Sequence, residues 1–198
     1  ELKKGLMQKL FSEGIGHTEF KDTKIGRIPK EWEVKKIGEI VETSSGGTPL
    51  RTNSEYYVNG TIPWVKTGEL NNKYLFESKE HITASALKNS SAKLFPKHSI
   101  LVAMYGATIG KMSIIINEMA SNQACCALFP SNNVYYEYLY YSLIKRKKAL
   151  ISRGVGGAQP NISQKLIKVF ELPIPTLKEQ QKIAAILSTL DAKIEKEQ

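Results

Sequence analysis

Two glycine-containing stretches are the first places to look for chemistry. Gly106-Ala107-Thr108-Ile109-Gly110-Lys111-Met112 has the outline of a loop that cradles phosphates. Such a loop needs four residues between its glycines, and a Ser or Thr after the lysine to hold magnesium. Here three residues separate the glycines, Met112 follows the lysine, and a strand-like apolar run comes next in place of a helix. The stretch reads as a β-turn. Arg153-Gly154-Val155-Gly156-Gly157-Ala158 lacks the dinucleotide-binding spacing and follows a charged helix end, so it reads as a flexible loop. Cys125 and Cys126, the only cysteines, are adjacent and would point to opposite faces of a strand, which disfavours both a disulfide and a metal site. His17, His81 and His98 are scattered without metal-ligand spacing. There is no Asn/Asp-Pro-Pro-Tyr/Phe run of the kind that amino-methyltransferases place around a target amine, and no nucleophile–base set or paired carboxylate is singled out. No catalytic residue, metal or cofactor is expected, and the chain is read as one that binds and positions.

Binding chemistry is easier to find. The 198-residue chain has 28 Lys and Arg against 19 Asp and Glu, a formal net charge of +9, and an isoelectric point of about 9.4. A hydrophobic content of 41% is enough for a core and argues against a disordered chain. A basic domain points to a polyanion, nucleic acid first and an anionic membrane surface second. Arg51, Lys66, Lys111, Lys145, Arg146, Lys147, Lys148 and Arg153 are candidates to meet phosphates, each with a solvated surface charge as its competing role. Arg suits guanine, and Asn or Gln suits adenine. Arg51, Asn53, Tyr105, Arg153 and Gln159 therefore have base-reading chemistry, with Thr52 and Thr67 on the same polar loops. Gln159 and Asn161 have a rival use in tying down their own turn. No apolar run approaches a transmembrane span, and the N-terminus lacks a signal-peptide pattern. A cytoplasmic setting and no membrane partner are expected.

The elements that must position these residues are led by the last one. Leu172-Pro173-Ile174-Pro175 favours an extended run, and Thr176-Leu177-Lys178-Glu179 is a capping box that opens a helix. Ile183, Leu187, Leu190 and Ile194 then recur at coiled-coil spacing on a long amphipathic helix. Its narrow stripe suggests a projecting strut in need of a partner, ahead of a helix lying on its own core. Polar replacement of Ile183, Leu187 and Leu190 is then expected to abolish assembly and leave the domain folded. At the other end Leu2, Leu6 and Leu10 form a helical stripe closed by Gly14-Ile15-Gly16. The two helical ends could pair with each other or with a larger assembly.

Between them lie apolar runs at Ile28 to Val34, Thr61 to Val65, Ser99 to Met104, Lys111 to Ile116, Ala124 to Phe129 and Val169 to Leu172, read as strands. Trp32 and Val34 are expected on one face, with Trp32 a core anchor. Pro63 argues for an edge or first-residue position, Asn59-Gly60 for a hairpin-type turn, and glycine turns for antiparallel pairing. Short helices are expected after Thr83 and Ser163. A longer one from about Val134 carries Tyr136, Leu139, Tyr140, Leu143 and Ile144 and ends in Lys145-Arg146-Lys147-Lys148. The fold class is α+β: a mixed or antiparallel twisted sheet with short helices, plus the long C-terminal helix.

In their order, several stretches resemble one half of a type I restriction–modification specificity (S) subunit. They are Ile28-Pro29-Lys30-Glu31-Trp32-Glu33-Val34, Gly46-Gly47-Thr48-Pro49, Ile62 to Leu70, Tyr105 to Lys111, Asn122-Gln123-Ala124, Gln159-Pro160-Asn161-Ile162-Ser163, and Leu172-Pro173-Ile174-Pro175 before Glu179 to Ile183. The resemblance implies a target recognition domain over residues 17–175, between the end of one conserved-region helix (1–16) and the start of another (176–198). It implies recognition of double-stranded DNA without catalysis, adenine methylation being left to modification subunits that bind the helices together with the restriction (motor–nuclease) subunit. A full subunit of that family has two such domains, so this chain corresponds to a fragment or to a half subunit that forms a homodimer through Leu6, Leu10, Ile183, Leu187, Leu190 and Ile194.

Overall fold

The computed structural model describes residues 2–156 and 161–196, with the backbone alone at Glu195. In chain order the elements are α1 (Leu2–Ser12), β1 (Phe20–Thr23), β2 (Gly26–Pro29), β3 (Glu33–Lys36), α2 (Ile37–Ile40), β4 (Thr43–Ser45), β5 (Ile62–Val65), β6 (Tyr74–Leu75), β7 (His81–Ile82), α3 (Ala84–Asn89) and β8 (Leu94–Phe95). They continue with β9 (Ile100–Ala103), β10 (Met112–Ile115), β11 (Met119–Ser121), β12 (Cys125–Leu128), α4 (Tyr136–Ile151), α5 (Gln164–Val169), β13 (Glu171–Ile174) and α6 (Leu177–Lys196). Among the described residues no helix is long and apolar enough to cross a membrane.

The main sheet has the order β4-β12-β9-β10-β6. Strands β9, β10 and β12 are buried at every residue, which is why they read as continuous apolar runs and not as alternating ones. Successive residues still part company, because side chains on a strand alternate faces. Ile100, Val102, Met112, Ile114, Cys126 and Leu128 join a core with Tyr138 and Leu143 of α4 and Ile183 and Leu187 of α6. Leu101, Ala103, Ile115, Cys125 and Ala127 join a second core with Val65, Phe95 and Met119. The two cysteines therefore do face opposite ways, and burial pushes both thiols up to about 12.

The second core lies against a four-stranded sheet, β7-β5-β11-β8. Here the expectation for Pro63 needs correction, since β5 is an interior strand. The missing N–H is tolerated because Trp64 N bonds Glu80 O on the β7 side, and the parallel ladder to β11 begins at Trp64, one residue past the proline. Asn59 has a positive φ of 57° as a turn residue should, but the turn leads from β4 to a strand of the other sheet and closes no hairpin. Pairing is mixed: β9 is antiparallel to β10 and β12, whereas β6–β10 and β5–β11 are parallel.

Trp32 is buried as an anchor but sits in the turn before β3, off the strand itself. The caps at Thr83 and Ser163 form as expected, each hydroxyl accepting from the backbone N–H three residues on. Helix α4 does not end at its basic run but continues to Ile151.

Helix α6 departs most from expectation. Ile183, Ala184 and Leu187 are fully buried in the chain's own core, while Leu190 and Ile194 are half-buried. Its first three turns thus lie on the domain, and the strut reading applies only to the last two positions. Replacing Ile183 or Leu187 would attack the fold itself. Helix α1 packs beside α6 through Met7, Leu10 and Phe11, with Leu6 partly covered. The two run antiparallel: Lys3, at the start of α1, pairs with Asp191 near the end of α6, while Ile15 N, just past α1, bonds Glu179 at the start of α6, at 2.9 Å. Gly14, at φ 65°, lies in the turn that ends α1, and a Cβ there would stand 2.7 Å from Glu179 Oε1.

Candidate nucleic-acid interface

The loop after β4 is fastened before it presents anything. A Cβ on Gly46 would stand 2.3 Å from the carbonyl oxygens of Ser121 and Asn122, so only glycine lets the backbones meet there. The Trp64 indole donates to Gly47 O at 3.0 Å, and the Tyr57 hydroxyl to Pro49 O at 2.6 Å. Thr48 bonds Gln123 on the turn between β11 and β12.

Arg51 stands on this base. Its guanidinium carbon lies 4.7 Å from the Tyr57 ring centroid and 4.6 Å from that of Trp64, within cation–π range of both. Its Nη1 donates to Glu80 Oε2 at 2.7 Å, and Glu80 Oε1 takes Lys66. Hydrogen bonding from Lys66, and then the Arg51 guanidinium, outweigh desolvation and hold the Glu80 carboxyl below the usual range. Thr67 opens a short 3-10 turn to Glu69, whose carboxylate accepts Lys66 N at 2.9 Å. Asn71 donates to Gly68 O and accepts from Lys111 Nζ, both at 2.7 Å. Asn53 caps a 3-10 turn by accepting from Glu55 N at 3.1 Å, and Thr52 is exposed beside it. Met104 N bonds Ala124 O at 2.8 Å, which places exposed Tyr105 next to the Gln123 turn.

Four loops, at residues 46–53, 66–71, 104–111 and 121–124, are thus linked in one region. It brings together Arg51, Thr52, Asn53, Lys66, Thr67, Tyr105 and Lys111. The other described candidates, Lys145, Arg146, Lys147, Lys148 and Arg153, lie on α4 and just past it. Arg146 Nη1 donates to Ile25 O at 3.0 Å, with its guanidinium carbon 5.5 Å from the Phe170 ring centroid. Arg153 lies 4.9 Å from the same ring, and Lys145 bonds Gln8 of α1. Gln159 lies outside the described residues. Sequence reasoning missed Glu80, Tyr57 and Trp64. Glu80 follows Arg51 by 29 residues and Lys66 by 14, so no short-range spacing could announce it. Among the described residues no group of three or more His, Cys, Asp or Glu could hold a metal ion.

Residues 29–198 match the family model described as type I restriction modification DNA specificity domain. The chain belongs to this family. Among curated relatives, the type I restriction enzyme MjaIX specificity subunit of Methanocaldococcus jannaschii is 38% identical over 183 residues, covering 90% of this chain and 42% of the relative. The EcoR124I/EcoR124II specificity subunit of Escherichia coli is 32% identical over 169 residues, covering 82% and 42%. The crystal structure of an HsdS subunit from Thermoanaerobacter tengcongensis shares the fold with a TM-score of 0.73 at 17% identity, over 98% of this chain and 43% of that one. The S subunit from M. genitalium does so with a TM-score of 0.67 at 19% identity, over 98% and 48%. This specificity domain thus spans less than half the length of the relatives it matches. Gly46 to Pro49, Ile62 to Leu70, Tyr105 to Lys111 and Asn122 to Ala124, four of the stretches that carried the resemblance in sequence, meet in the four-loop region.

Proposed function

We propose that this chain is a recognition unit of a type I restriction–modification specificity subunit, reading one half-site of double-stranded DNA without catalysing a reaction. The observation that carries the reading is the four-loop region, where Arg51 is held over Tyr57 and Trp64 with Lys66 and Lys111 alongside. Phosphate contacts would set register there, and Arg51 would offer base-directed donors. Residues 17–175 serve as the target recognition domain, with 1–16 and 176–198 as pieces of the helices that meet the modification and restriction subunits. The setting is cytoplasmic. Since this chain spans 42% of its curated relatives, a split target needs a second recognition unit. That unit is either a second, different domain or another copy of this chain joined through Leu6, Leu190 and Ile194; a homodimer would read an inverted repeat.

Selection from random duplexes at low salt, with a salt titration alongside, tests this. A recurrent short motif is expected. Retention without any motif, lost steeply with salt even when a modification subunit is present, would show phosphate binding alone and overturn the reading.

A further inference from the structure

Away from the four loops, α1, the β1–β2 hairpin and α4 enclose a cavity of about 420 Å³. Arg27, Lys145, Arg146 and Lys148 line it, and no carboxylate does. None of these four forms an ion pair among the described residues. Three are instead held by neutral groups. Arg146 donates to Ile25 O, Lys145 to Gln8, and Arg27 lies 4.6 Å from the Phe20 ring centroid. Glu171 lies close enough to act on Arg146 but is already bonded to Lys24, at 2.9 Å. Arg146 Nε is buried without an acceptor.

Like charges at such short range repel, as Arg146 does Lys145, and the neutral partners of Arg27, Lys145 and Arg146 fix three of the four cations without neutralising them. Burial first, and then the charges of Lys4 and Arg146, hold Lys145 below the usual lysine range. Such a group is pre-organised for a multivalent anion, which recovers the repulsion as binding energy. A single carboxylate would leave most of the charge unmet. A phosphate group offers several acceptor oxygens, and the volume falls in the range of small-ligand sites.

We propose that this cavity is a phosphate-binding site that takes the phosphates of a nucleotide, either free or within a nucleic-acid strand. If the phosphate belongs to a strand, the site rests on the DNA-recognition reading and adds a contact away from the bases; if it is free, the site stands independently of that reading.

The test uses the whole chain, with pyrophosphate in calorimetry and a labelled duplex in anisotropy. The probe variant is Lys145→Gln with Lys148→Gln, which leaves the packed Arg146 in place. The control is Lys165→Gln with Lys178→Gln, two exposed lysines on α5 and α6 that remove the same net charge. Pyrophosphate binding is expected to weaken at least ~10-fold in the probe variant and to stay unchanged in the control. Parallel weakening of duplex binding, with pyrophosphate competing, assigns the site to a strand. Loss of pyrophosphate binding with duplex affinity intact assigns it to a free nucleotide. Equal effects of probe and control variants on both ligands would overturn the proposal, as would a wild-type chain that binds neither pyrophosphate nor duplex. A wild-type chain that binds pyrophosphate but no duplex keeps the site and removes the DNA reading.

Discussion

The Glu179 carboxylate accepts the Trp32 indole N–H at 3.0 Å, joining the first turn of α6 to the turn before β3. The same carboxylate accepts Ile15 N at 2.9 Å and contacts His17 Nε2 at 2.9 and 3.0 Å. The capping box read from Thr176 and Glu179 is therefore only half used. Thr176 Oγ1 takes Glu179 N at 3.4 Å, but Glu179 turns away from its own helix to fasten the end of α1. With 12% of its side chain exposed, Glu179→Ala leaves the buried indole donor without a partner. A loss of roughly 2–4 kcal/mol is expected in urea unfolding, with Glu179→Gln losing about half of that. A change under ~0.5 kcal/mol for Glu179→Ala would show that the junction is held by packing alone.

Glu80 gives a contrasting prediction, because it subtracts charge from the proposed DNA face. With its carboxyl held below the usual range by Lys66 and then Arg51, it is ionised at neutral pH and occupies donors of both cations. Glu80→Gln is expected to tighten non-specific duplex binding several-fold at low salt and to steepen the salt dependence. Arg51→Ala is expected to weaken binding at the selected motif by about 1–3 kcal/mol. Anisotropy over a salt series checks both, and unchanged affinity in Arg51→Ala would remove Arg51 from the interface.

Among the described residues Lys73 and Glu137 form the most enclosed ion pair, 2.9 Å apart with each side chain 11% exposed. Lys73 also bonds Tyr141 of α4 and Ser188 of α6, and Glu137 takes Tyr74 and Tyr135. Burial alone would raise the Glu137 carboxyl, but hydrogen bonds from Tyr74 and Lys73 with the Lys73 charge win and hold it below the usual carboxylate range. A carboxyl lowered on folding stabilises the protein above its unfolded value, and that contribution disappears as pH falls through its folded value. Lys73→Met is therefore expected to cost about 3 kcal/mol at pH 7. The gap to the wild type should narrow as pH falls through the carboxyl's folded value. A gap independent of pH in urea melts at pH 7 and pH 4 would refute the pairing as its source.

How far the sequence went depended on how local each signal was. Strands β9, β10 and β12, the caps at Thr83 and Ser163, and the opposed cysteines all rest on one to six neighbouring residues, and all were legible. The three-residue strand β11 was not, since its short run borrows its order from β5 and β8 on either side. Nor was the Arg51–Glu80–Lys66 set, because its members are joined only once β5 and β7 pair. Helix α6 misled for a related reason. A narrow apolar stripe fits a coiled coil or the flank of a domain equally well, and it was α4 and α1, distant in sequence, that covered Ile183 and Leu187.

That division of α6 gives the last prediction. Ile183 and Leu187 are fully buried, whereas Leu190 and Ile194 keep part of their surface open to a partner. Leu187→Ala is expected to cost about 2–5 kcal/mol by opening a cavity in the core. The pair Leu190→Gln with Ile194→Gln sits at the margin and is expected to cost at most ~1 kcal/mol. If the far end of α6 is where other chains attach, the same pair should lower the sedimentation coefficient of any assembly formed with a second copy or with modification subunits. The melting curve would barely move. Intact assembly in that variant would place the attachment surface elsewhere, on α1 or on the sheet domain; a collapsed melting curve would show that Leu190 and Ile194 also serve the core.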